Sequence, residues 1–549
     1  MVSLDSGQLR VADVVGQRLA AETRVAFGVP GGEVLTLIDA LRDAGIEFVL
    51  ARHESAAGFM AEGHQRVRGG VAVLVATLGP GVANTINYVA HAQQARRPAI
   101  VLTGSVAPSD VGTYTHQVFD HQQVLRPLTK GSFQVTPATV GDVIERAIAL
   151  ATSGAQGPVH VEVPVSAADV LVERREPVLP QSSLPSVGPS DPVLLAARAA
   201  LQRAERPLCL AGLELVTTRE PQVLSELITS HGLPCITTYE AKGVIDERHP
   251  LCVGAAGLSP KADHELLPLV QKADVVLLVG YEPVEMRQAW RHPFARDAVV
   301  IDIARSRGSH GMHAARLQLN GEADVVMRQL FDGFERERPS WPDGEPAASR
   351  RRLRRAFTPA DSWGPDCIFA TLENTLDTET IVAADTGAHR ILMCQQWRFT
   401  RPGLLMQSNG LSTMACAIPM AIGAKLAAVE SPVLCVVGDG GLEMGLGDLA
   451  TLRDLRLPIT IVVIDDRSLS LIEKKQRERK LQCMGVNFGA GGEDFRGTNY
   501  VAIARAFGGE GALVEDASRL ERELRAAQQR DVFTLLHCPI PRRAYDGKI

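Results

Sequence analysis

Residues 438–441 read Gly-Asp-Gly-Gly, a turn whose residue types suit the binding of a phosphate group. Glycines let backbone N–H groups approach phosphate oxygens closely, because no side chain intervenes. The carboxylate of Asp439 repels a phosphate directly, so its presence indicates a divalent cation that bridges the two. The turn lies between residues 433–437, which predict a buried strand, and 442–455, which predict a helix.

A second predicted strand, residues 459–464, ends at Asp465 and Asp466. Neighbouring parallel strands of an α/β sheet bring their carboxyl ends to one edge, and ligands bind at that edge. We therefore expect the two strand ends to deliver carboxylate oxygens to a single cation site.

Short apolar runs with many β-branched residues recur along the chain and predict parallel strands covered on both faces. They are residues 70–75, 99–102, 159–163, 274–279, 433–437 and 459–464. The run 159–163 alternates in polarity, which predicts a strand exposed on one face. Amphipathic stretches between the runs predict helices, as in residues 34–44, where Leu35, Ile38 and Leu41 share a face. The pattern predicts an α/β protein.

Two proline-rich stretches, residues 176–192 and 337–355, predict linkers. They divide the chain into three predicted domains, residues 1–180, 190–336 and 356–549, each doubly wound around a mostly parallel sheet. The second stretch ends in the basic run 350–355, which is typical of a solvated helix start or a linker; nucleic-acid binding is the weaker alternative.

The composition excludes several classes of protein. The chain of 549 residues is 45% hydrophobic and 22% charged, which is typical of globular proteins. A net charge of -6 and an aromatic content of 5% argue against a nucleic-acid partner. Nine scattered cysteines, without zinc spacing, predict reduced thiols in a cytoplasmic protein. Neither a secretory signal nor a membrane span is expected, because residues 1–10 lack an apolar stretch and no run of 18 apolar residues occurs.

The Gly-Asp-Gly turn with its downstream polar pair occurs here together with Arg-His-Glu-Ser-Ala-Ala at 52–57 and Thr-Leu-Gly-Pro-Gly-Val-Ala-Asn at 77–84. In this combination and order, the chain resembles the thiamine-diphosphate-dependent enzymes of the acetolactate synthase, pyruvate oxidase and 2-oxo acid decarboxylase group. The resemblance extends over almost the whole chain, and the acetolactate-synthase-like branch fits best. It implies pyrimidine-binding, central Rossmann-like and diphosphate-binding domains, with thiamine diphosphate and Mg²⁺ as cofactors.

The resemblance also implies the roles of particular residues. Mg²⁺ would take side-chain oxygens from Asp439 and Asp466 and the main-chain carbonyl of Ser468. This chain has Asp465-Asp466 where the family usually has Asn-Asn, which adds negative charge beside the diphosphate. Glu54 would hydrogen-bond N1′ of the aminopyrimidine and so promote loss of the thiazolium C2 proton. The simpler interpretation of Glu54 alone is a carboxylate that the helix dipole favours.

Further cofactor contacts follow from the same motifs. They are Gly31, Gly32, Asn84, Gly387, Ala388, His389, Ser412, Met414, Gly438, Gly440, Gly441, Leu471 and Ile472. Met414 would support the bent form of the cofactor, and Ser412 stands where the family usually has glycine. A capping or core role is the alternative for His389, and a plain core role is the alternative for Met414.

On the substrate side, the candidate catalytic residues besides Glu54 are His116, Gln117 and His121, in the loop after residues 99–102. Gln117 matches the acetohydroxyacid synthases, as does Lys130, whereas His116 replaces a phenylalanine. The two histidines are interpreted as groups for proton transfer or carboxylate recognition, or equally as loop hydrogen-bonding residues. Lys475 stands in the region where those synthases carry a tryptophan, which argues against a standard branched-chain synthase.

The resemblance therefore predicts decarboxylation of a small 2-oxo acid, with the acyl unit released or transferred to an acceptor such as a carbonyl compound. It predicts a homodimer or homotetramer with active sites shared between subunits. The open alternatives are an acetyltransferase, a flavin-linked oxidase of the same family, and a catalytically silent homologue that binds the cofactor. FAD is not favoured, because the central segment has no Gly-x-Gly-x-x-Gly element.

Overall fold

The computed structural model describes residues 8–174, 187–218, 220–306, 308, 310–336, 340–488 and 497–549. The chain forms two compact units. The first comprises Met1–Ser182, Gly410–Glu430 and Gly445–Leu457, and the second comprises Ser183–Asn409, Ser431–Met444 and Pro458–Ile549.

The first unit contains a six-stranded parallel sheet in the order β3-β2-β4-β5-β7-β6 and a two-stranded antiparallel ribbon of β1 and β8. Its strands are β1 (Gln8–Arg10), β2 (Val25–Val29), β3 (Glu47–Leu50), β4 (Ala72–Ala76), β5 (Ala99–Ser105), β6 (Gly131–Gln134), β7 (Pro158–Pro164) and β8 (Leu171–Glu173). Its N-terminal helices are α1 (Val11–Leu19), α2 (Leu35–Asp43), α3 (Glu54–Arg68), α4 (Pro80–Gln94), α5 (His121–Leu125), α6 (Val140–Thr152) and α7 (Val165–Ala168).

The second unit contains two six-stranded parallel sheets. The first of them has the order β11-β10-β9-β12-β13-β14. Its strands are β9 (Pro207–Ala211), β10 (Cys235–Thr238), β11 (Cys252–Ala256), β12 (Val275–Val279), β13 (Val299–Ala304) and β14 (Leu317–Asn320). The helices in this part of the chain are α8 (Pro192–Arg203), α9 (Gln222–Ser230), α10 (Pro260–Val270), α11 (Ala323–Phe331) and α12 (Glu345–Ala356).

The last sheet has the order β16-β15-β17-β18-β20-β19. Its strands are β15 (Ile381–Ala384), β16 (Leu405–Gln407), β17 (Val433–Gly438), β18 (Thr460–Asp465), β19 (Glu510–Leu513) and β20 (Thr534–Pro539). The helices along this stretch are α13 (Pro365–Thr375), α14 (Ala388–Gln396), α15 (Ala417–Ala427), α16 (Asp439–Met444), α17 (Asp448–Leu455), α18 (Ser470–Glu478), α19 (Tyr500–Ala506) and α20 (Ala517–Ala527). Of these, α15 and α17 belong to the first unit.

Three parallel sheets with helices between their strands confirm the predicted fold class. The first and last sheets share one connectivity, because in each the second strand along the chain lies at an edge beside the first strand. The middle sheet instead has the strand order of dinucleotide-binding folds, in agreement with its predicted Rossmann-like character. The predicted domain boundaries at 1–180, 190–336 and 356–549 stay a prediction.

Several local predictions were wrong. Strand β7 is buried along its whole length, because His160 and Glu162 find hydrogen-bond partners inside the protein. Leu35 is 59% exposed, and the buried face of α2 is formed by Leu37, Ala40 and Leu41. The predicted helix 442–455 is interrupted between α16 and α17.

The two predicted linkers have different outcomes. Most of the first, residues 176–192, lies outside the described residues. Much of the second, 337–355, is helix α12, whose Arg350 donates to the carbonyl oxygens of Cys252 and Arg248. The basic run is therefore the surface of a packed helix.

No helix in the described part of the chain is both long and apolar enough to cross a membrane. All nine cysteines are free thiols. Most of them are buried, and burial raises the pKa of thiols such as Cys252 and Cys435 well above the usual value.

Candidate functional site

Glu54 is the first residue of α3 and is almost fully buried, with 7% of its surface exposed. Asn84 lies in α4, and its Nδ2 donates to Glu54 Oε2 at 2.9 Å. Gly81 lies near the other carboxylate oxygen, since a Cβ at this glycine would be 3.5 Å from Oε1. The carboxylate predicted from the motif is therefore buried, oriented by an amide and bordered by a glycine.

The turns that follow β2 and β4 lie next to each other, because these strands are neighbours in the sheet. A Cβ at Gly31 would lie 2.3 Å from Thr77 Oγ1, so only glycine allows this approach. Thr77 Oγ1 in turn donates to Glu33 Oε2 at 2.7 Å. Gly32 has open space where a Cβ would be. The two turns meet where the strand order reverses, which is the usual ligand position in open α/β sheets.

The last sheet repeats this arrangement in the second unit, where β15 and β17 are neighbours. A Cβ at Gly441 would lie 1.9 Å from Asp385 Oδ2, and one at Gly438 would lie 3.4 Å from the ring of His389. Gly387 precedes α14, and Ala388 and His389 begin that helix. Residues 385–389 and 438–441 are therefore adjacent at one edge of this sheet.

His389 is buried, and its Nε2 has no hydrogen-bond partner among the described residues. Burial lowers its pKa to about 4, with a smaller contribution from Arg390, so the imidazole is neutral at physiological pH. A buried polar atom without a partner is uncommon in folded proteins and marks a place where a ligand atom fits.

Two buried carboxylates lie beyond the ends of β17 and β18. Asp439 Oδ1 accepts from the N–H of Gly440 at 2.8 Å, whereas Oδ2 is buried without a partner among the described residues. Burial and the negative charge of Asp466 raise the pKa of Asp439. Burial also raises the pKa of Asp466 to about 6, although Ser470 Oγ donates to its Oδ2. The two carboxylates thus repel each other while they are almost fully buried.

The neighbouring Asp465 has a different environment. Its Oδ2 bonds to Nε2 of His537 on β20 at 2.8 Å, and its Oδ1 accepts from the N–H of Arg467 at 3.0 Å. Burial disfavours the charged form of Asp465, but the bond to His537 holds its pKa below the usual value. The added carboxylate that the sequence places beside the predicted metal site is therefore paired with an imidazole, and His537 was not foreseen.

Ser468 is held in place by its own side chain. Its Oγ donates to Glu473 Oε2 at 2.9 Å and to the carbonyl of Val486 at 3.1 Å. Glu473 is buried and also accepts from Arg543 at 3.0 Å and from Arg542 at 3.3 Å. These contacts anchor the backbone that follows β18, and the sequence did not indicate the two arginines.

No group of three or more His, Cys, Asp or Glu side chains within the described ranges has the arrangement of a metal site. A cation at this edge therefore requires main-chain oxygen in addition to the carboxylates of Asp439 and Asp466. The two aliphatic candidates on α18 differ in exposure, since Leu471 is half-buried and Ile472 is 44% exposed.

Ser412 and Met414 are half-buried and belong to the first unit. Ser412 has φ of 53° and Ala415 has φ of 61°, both in the left-handed region that favours glycine. This conformation explains physically why glycine suits position 412. Residues 385–389 belong to the second unit.

The substrate-side candidates separate into exposed and buried residues. His116 and Gln117 are exposed, and Gln117 has φ of 59°. A Cβ at Gly79 would lie 2.5 Å from the carbonyl oxygen of Gln117, so the loop packs directly on this glycine. A cavity of about 290 Å³ lies behind the loop, lined in part by Gln117, His121 and Glu162. Lys130 lies apart, with Nζ donating to the carbonyl of Ser153 at 2.6 Å, and burial lowers its pKa to about 8.

Three segments of the chain match families described as parts of one enzyme class. Residues 9–124 match "Thiamine pyrophosphate enzyme, N-terminal TPP binding domain". Residues 194–330 match the central domain of the same enzymes, and 385–538 match their C-terminal TPP binding domain. Glu54 and Asn84 lie in the first match, and the carboxylates of Asp439 and Asp466 lie in the third.

Curated proteins with similar sequences have related names. The chain is 28% identical to "Acetolactate synthase" of Bacillus subtilis (strain 168), with 94% of this chain and 90% of the relative covered. It is 29% identical to "Acetolactate synthase isozyme 3 large subunit" of Escherichia coli (strain K12), with 96% and 92% covered. It is 27% identical to "Probable acetolactate synthase large subunit" of Methanococcus aeolicus, with 92% and 88% covered.

Proposed function

Because the chain belongs to the thiamine-diphosphate-dependent enzymes of the acetolactate synthase branch, we propose that it decarboxylates a 2-oxo acid and releases the acyl unit or transfers it to an acceptor. When bound, thiamine diphosphate supplies a nucleophilic carbon and an electron sink for the loss of CO₂. The observation that supports the proposal most directly is the buried Glu54, whose carboxylate is oriented by Asn84.

Glu54 would hydrogen-bond the pyrimidine ring of the cofactor and control its protonation. A carboxylate that is withdrawn from water and held by one amide exchanges protons with a ring nitrogen in a defined geometry. Glycine at positions 31 and 81 lets the side chains of Thr77 and Glu54 lie close to the backbone at this edge of the sheet, where the ring would be held.

The edge of the last sheet fits a metal-bound diphosphate. Asp439 and Asp466, with the carbonyl of Ser468, would hold Mg²⁺, because a divalent cation offsets the repulsion between the two buried carboxylates. The glycines of 438–441 would bring backbone N–H groups to the phosphate oxygens. His389, whose Nε2 is buried without a partner among the described residues, would provide a further polar contact.

The substrate would meet the exposed loop that contains His116 and Gln117. Leu471 and Ile472 would add apolar contacts on the side of the diphosphate. In this family the cofactor lies between the first domain of one subunit and the third domain of another, so the proposal includes at least a homodimer.

The test uses the purified protein in the presence of thiamine diphosphate and Mg²⁺. With a panel of 2-oxo acids, supplied with and without aldehyde acceptors, we expect CO₂ release for at least one acid. Glu54→Gln is expected to abolish exchange of the cofactor's C2 proton with little loss of cofactor binding, because the amide keeps the size of the side chain and loses its basicity.

Three results would contradict or redirect the proposal. Cofactor binding without CO₂ release from any acid would indicate a silent homologue. Acyl phosphate formed only when phosphate is present would indicate an acetyltransferase. A yellow protein that reduces an electron acceptor would indicate a flavin-linked oxidase.

A further inference from the structure

Hydrogen bonds connect Glu162 of β7, through His121, to the backbone of Gly79. Gly79 precedes the helix that carries Asn84, and Asn84 donates to Glu54.

The Oε1 of Glu162 bonds to Nδ1 of His121 at 2.9 Å. Its Oε2 accepts from the side-chain amides of Gln122 at 3.2 Å and Gln134 at 3.1 Å. Burial disfavours the carboxylate form, but the bonds from His121 and Gln122 hold the pKa of Glu162 below its usual value. Glu162 is therefore a buried anion that only accepts hydrogen bonds.

The second nitrogen of His121 is also engaged. The backbone N–H of Gly79 donates to Nε2 at 3.2 Å. A backbone N–H can only donate, so Nε2 accepts and the ring proton resides on Nδ1, from which it donates to Glu162. His121 is thus the neutral Nδ1–H tautomer, and neither ring nitrogen is available for a proton from substrate unless one of these bonds breaks.

Gly79 has an unusual backbone conformation. It has φ of 64° and ψ of -112°, a conformation that glycine tolerates and other residues avoid. It immediately precedes α4, the helix that carries Asn84, and Asn84 donates to Glu54. The position of the Gly79 backbone therefore sets the position of the amide that orients Glu54.

We propose that His121 is a positioning residue, whose Nε2 accepts the Gly79 N–H and thereby fixes the turn from which α4 presents Asn84 to Glu54. Glu162 serves this contact by holding the ring in the tautomer with a free lone pair on Nε2. The centroid of the His121 ring lies 4.7 Å from that of the Phe119 ring. The charged or titratable groups that face the His121 ring are Glu162 and His160 of β7. The catalytic consequence rests on the proposed function, whereas the tautomer and the contact with Gly79 do not.

Two substitutions separate positioning from proton transfer. Gln places its Oε1 the same number of bonds from the backbone as Nε2 of histidine, so His121→Gln keeps an acceptor for Gly79. Asn reaches only as far as Nδ1, so His121→Asn loses it. Gln cannot act as a proton donor and acceptor near neutral pH, so a role in proton transfer predicts that both variants fail alike.

The first readout is hydrogen–deuterium exchange of the Gly79 amide in protein without cofactor, followed by mass spectrometry of peptides that cover residues 77–84. We expect His121→Asn to speed this exchange roughly five- to tenfold, as loss of one hydrogen bond predicts, and His121→Gln to stay near the unaltered protein. Glu162→Gln, which removes the anion but leaves His121 in place, is expected to give an intermediate rate.

The second readout is the rate of C2 proton exchange in the cofactor-loaded protein, which we expect to fall in His121→Asn and to be restored in His121→Gln. Unchanged Gly79 exchange in both His121→Asn and Glu162→Gln overturns the proposal. So does a His121→Gln protein that protects Gly79 yet loses C2 exchange as fully as His121→Asn. If the unaltered protein releases no CO₂ from any acid, the proposed function fails while the Gly79 result still stands, because that measurement needs no turnover.

Discussion

Asp465 and Asp466 are adjacent in sequence, yet the folded chain gives them different partners. Asp465 bonds to His537 and its pKa stays below the usual value, whereas Asp466 accepts from Ser470 and burial raises its pKa. Both carboxylates help to raise the pKa of Asp439, but Asp465 is the one that is also bonded to the imidazole of His537. The histidines of the loop also have different environments, since His116 is exposed and His121 is buried. Residue type alone did not distinguish the members of either pair.

Replacing Asp439 tests the metal site at the residue scale. Asp439→Asn is expected to weaken Mg²⁺-dependent binding of thiamine diphosphate by more than roughly 10- to 100-fold. That range is the usual loss when a residue that only hydrogen-bonds a metal ligand is replaced. Without metal, the Asp439→Asn protein is expected to be no less stable to heat than the unaltered protein, because burial and Asp466 disfavour the negative charge of Asp439.

The matched control is Asp465→Asn, which keeps an acceptor for Arg467 and lies beside the same strand end. We expect its binding of thiamine diphosphate to fall by less than in Asp439→Asn. The measurement is a titration of cofactor at several Mg²⁺ concentrations. Equal losses in the two variants would mean that Asp439 has no special relation to the cation.

At the scale of elements, the position of Glu54 depends on how α3 packs on α15. A Cβ at Gly63 would lie 2.1 Å from the carbonyl oxygen of Met420, and a Cβ at Gly423 would lie 1.8 Å from that of Met60. Glycine on both helices therefore allows the two backbones to touch. The close contact fixes the axis of α3, which begins at Glu54.

Gly423→Ala tests this helix contact. The added methyl group meets backbone atoms, which cannot turn aside as a side chain can, so we expect a loss of about 1–3 kcal/mol in the free energy of unfolding. The measurement is chemical or thermal unfolding followed by circular dichroism. The control is Gly141→Ala in α6, where a Cβ meets nothing within 4 Å and the expected change is a small gain in stability. Equal effects in the two variants would exclude close packing as the cause.

At the scale of the whole molecule, the first and last sheets have the same connectivity, and each carries one set of candidate residues at the point where strand order reverses. The Glu54 set belongs to one compact unit and the Asp439 set belongs to the other. The middle sheet has a different connectivity and carries none of the candidate residues that the sequence predicts. The two sheets that share a connectivity are therefore the two that carry the residues needed for the proposed function.

Mixing two inactive variants tests whether subunits share active sites. If the Glu54 set of one subunit works with the Asp439 set of another, a dimer of one Glu54→Gln and one Asp439→Asn subunit contains one intact site. We expect co-expressed, doubly tagged dimers to recover about half the activity of the unaltered dimer, by counting of sites, whereas each variant alone stays inactive. Activity is measured as CO₂ release after purification on both tags. No recovery, or a fully active monomer, would contradict shared sites.

The sequence by itself determined the fold class, the family and the order of the motifs. Glycine-rich turns after apolar runs are local features, and the need for glycine at Gly31 and Gly441 comes from close contacts that only that residue allows. The Glu54 and Asp439 motifs could therefore be found without coordinates. Their roles as cofactor and metal residues stay predictions until binding is measured.

The tertiary structure alone decided which partners the chemical groups have. The burial of Glu162, its link to His121 and the pairing of Asp465 with His537 join residues that are distant along the chain. The polarity pattern of residues 159–163 predicted an exposed face for β7, because polar side chains usually face water. The fold instead surrounds them with donors from α5 and β6, and a buried polar group that is fully hydrogen-bonded is stable inside a protein. Whether a buried polar group finds hydrogen-bond partners depends on contacts between segments that are distant in sequence, and no local pattern encodes these contacts.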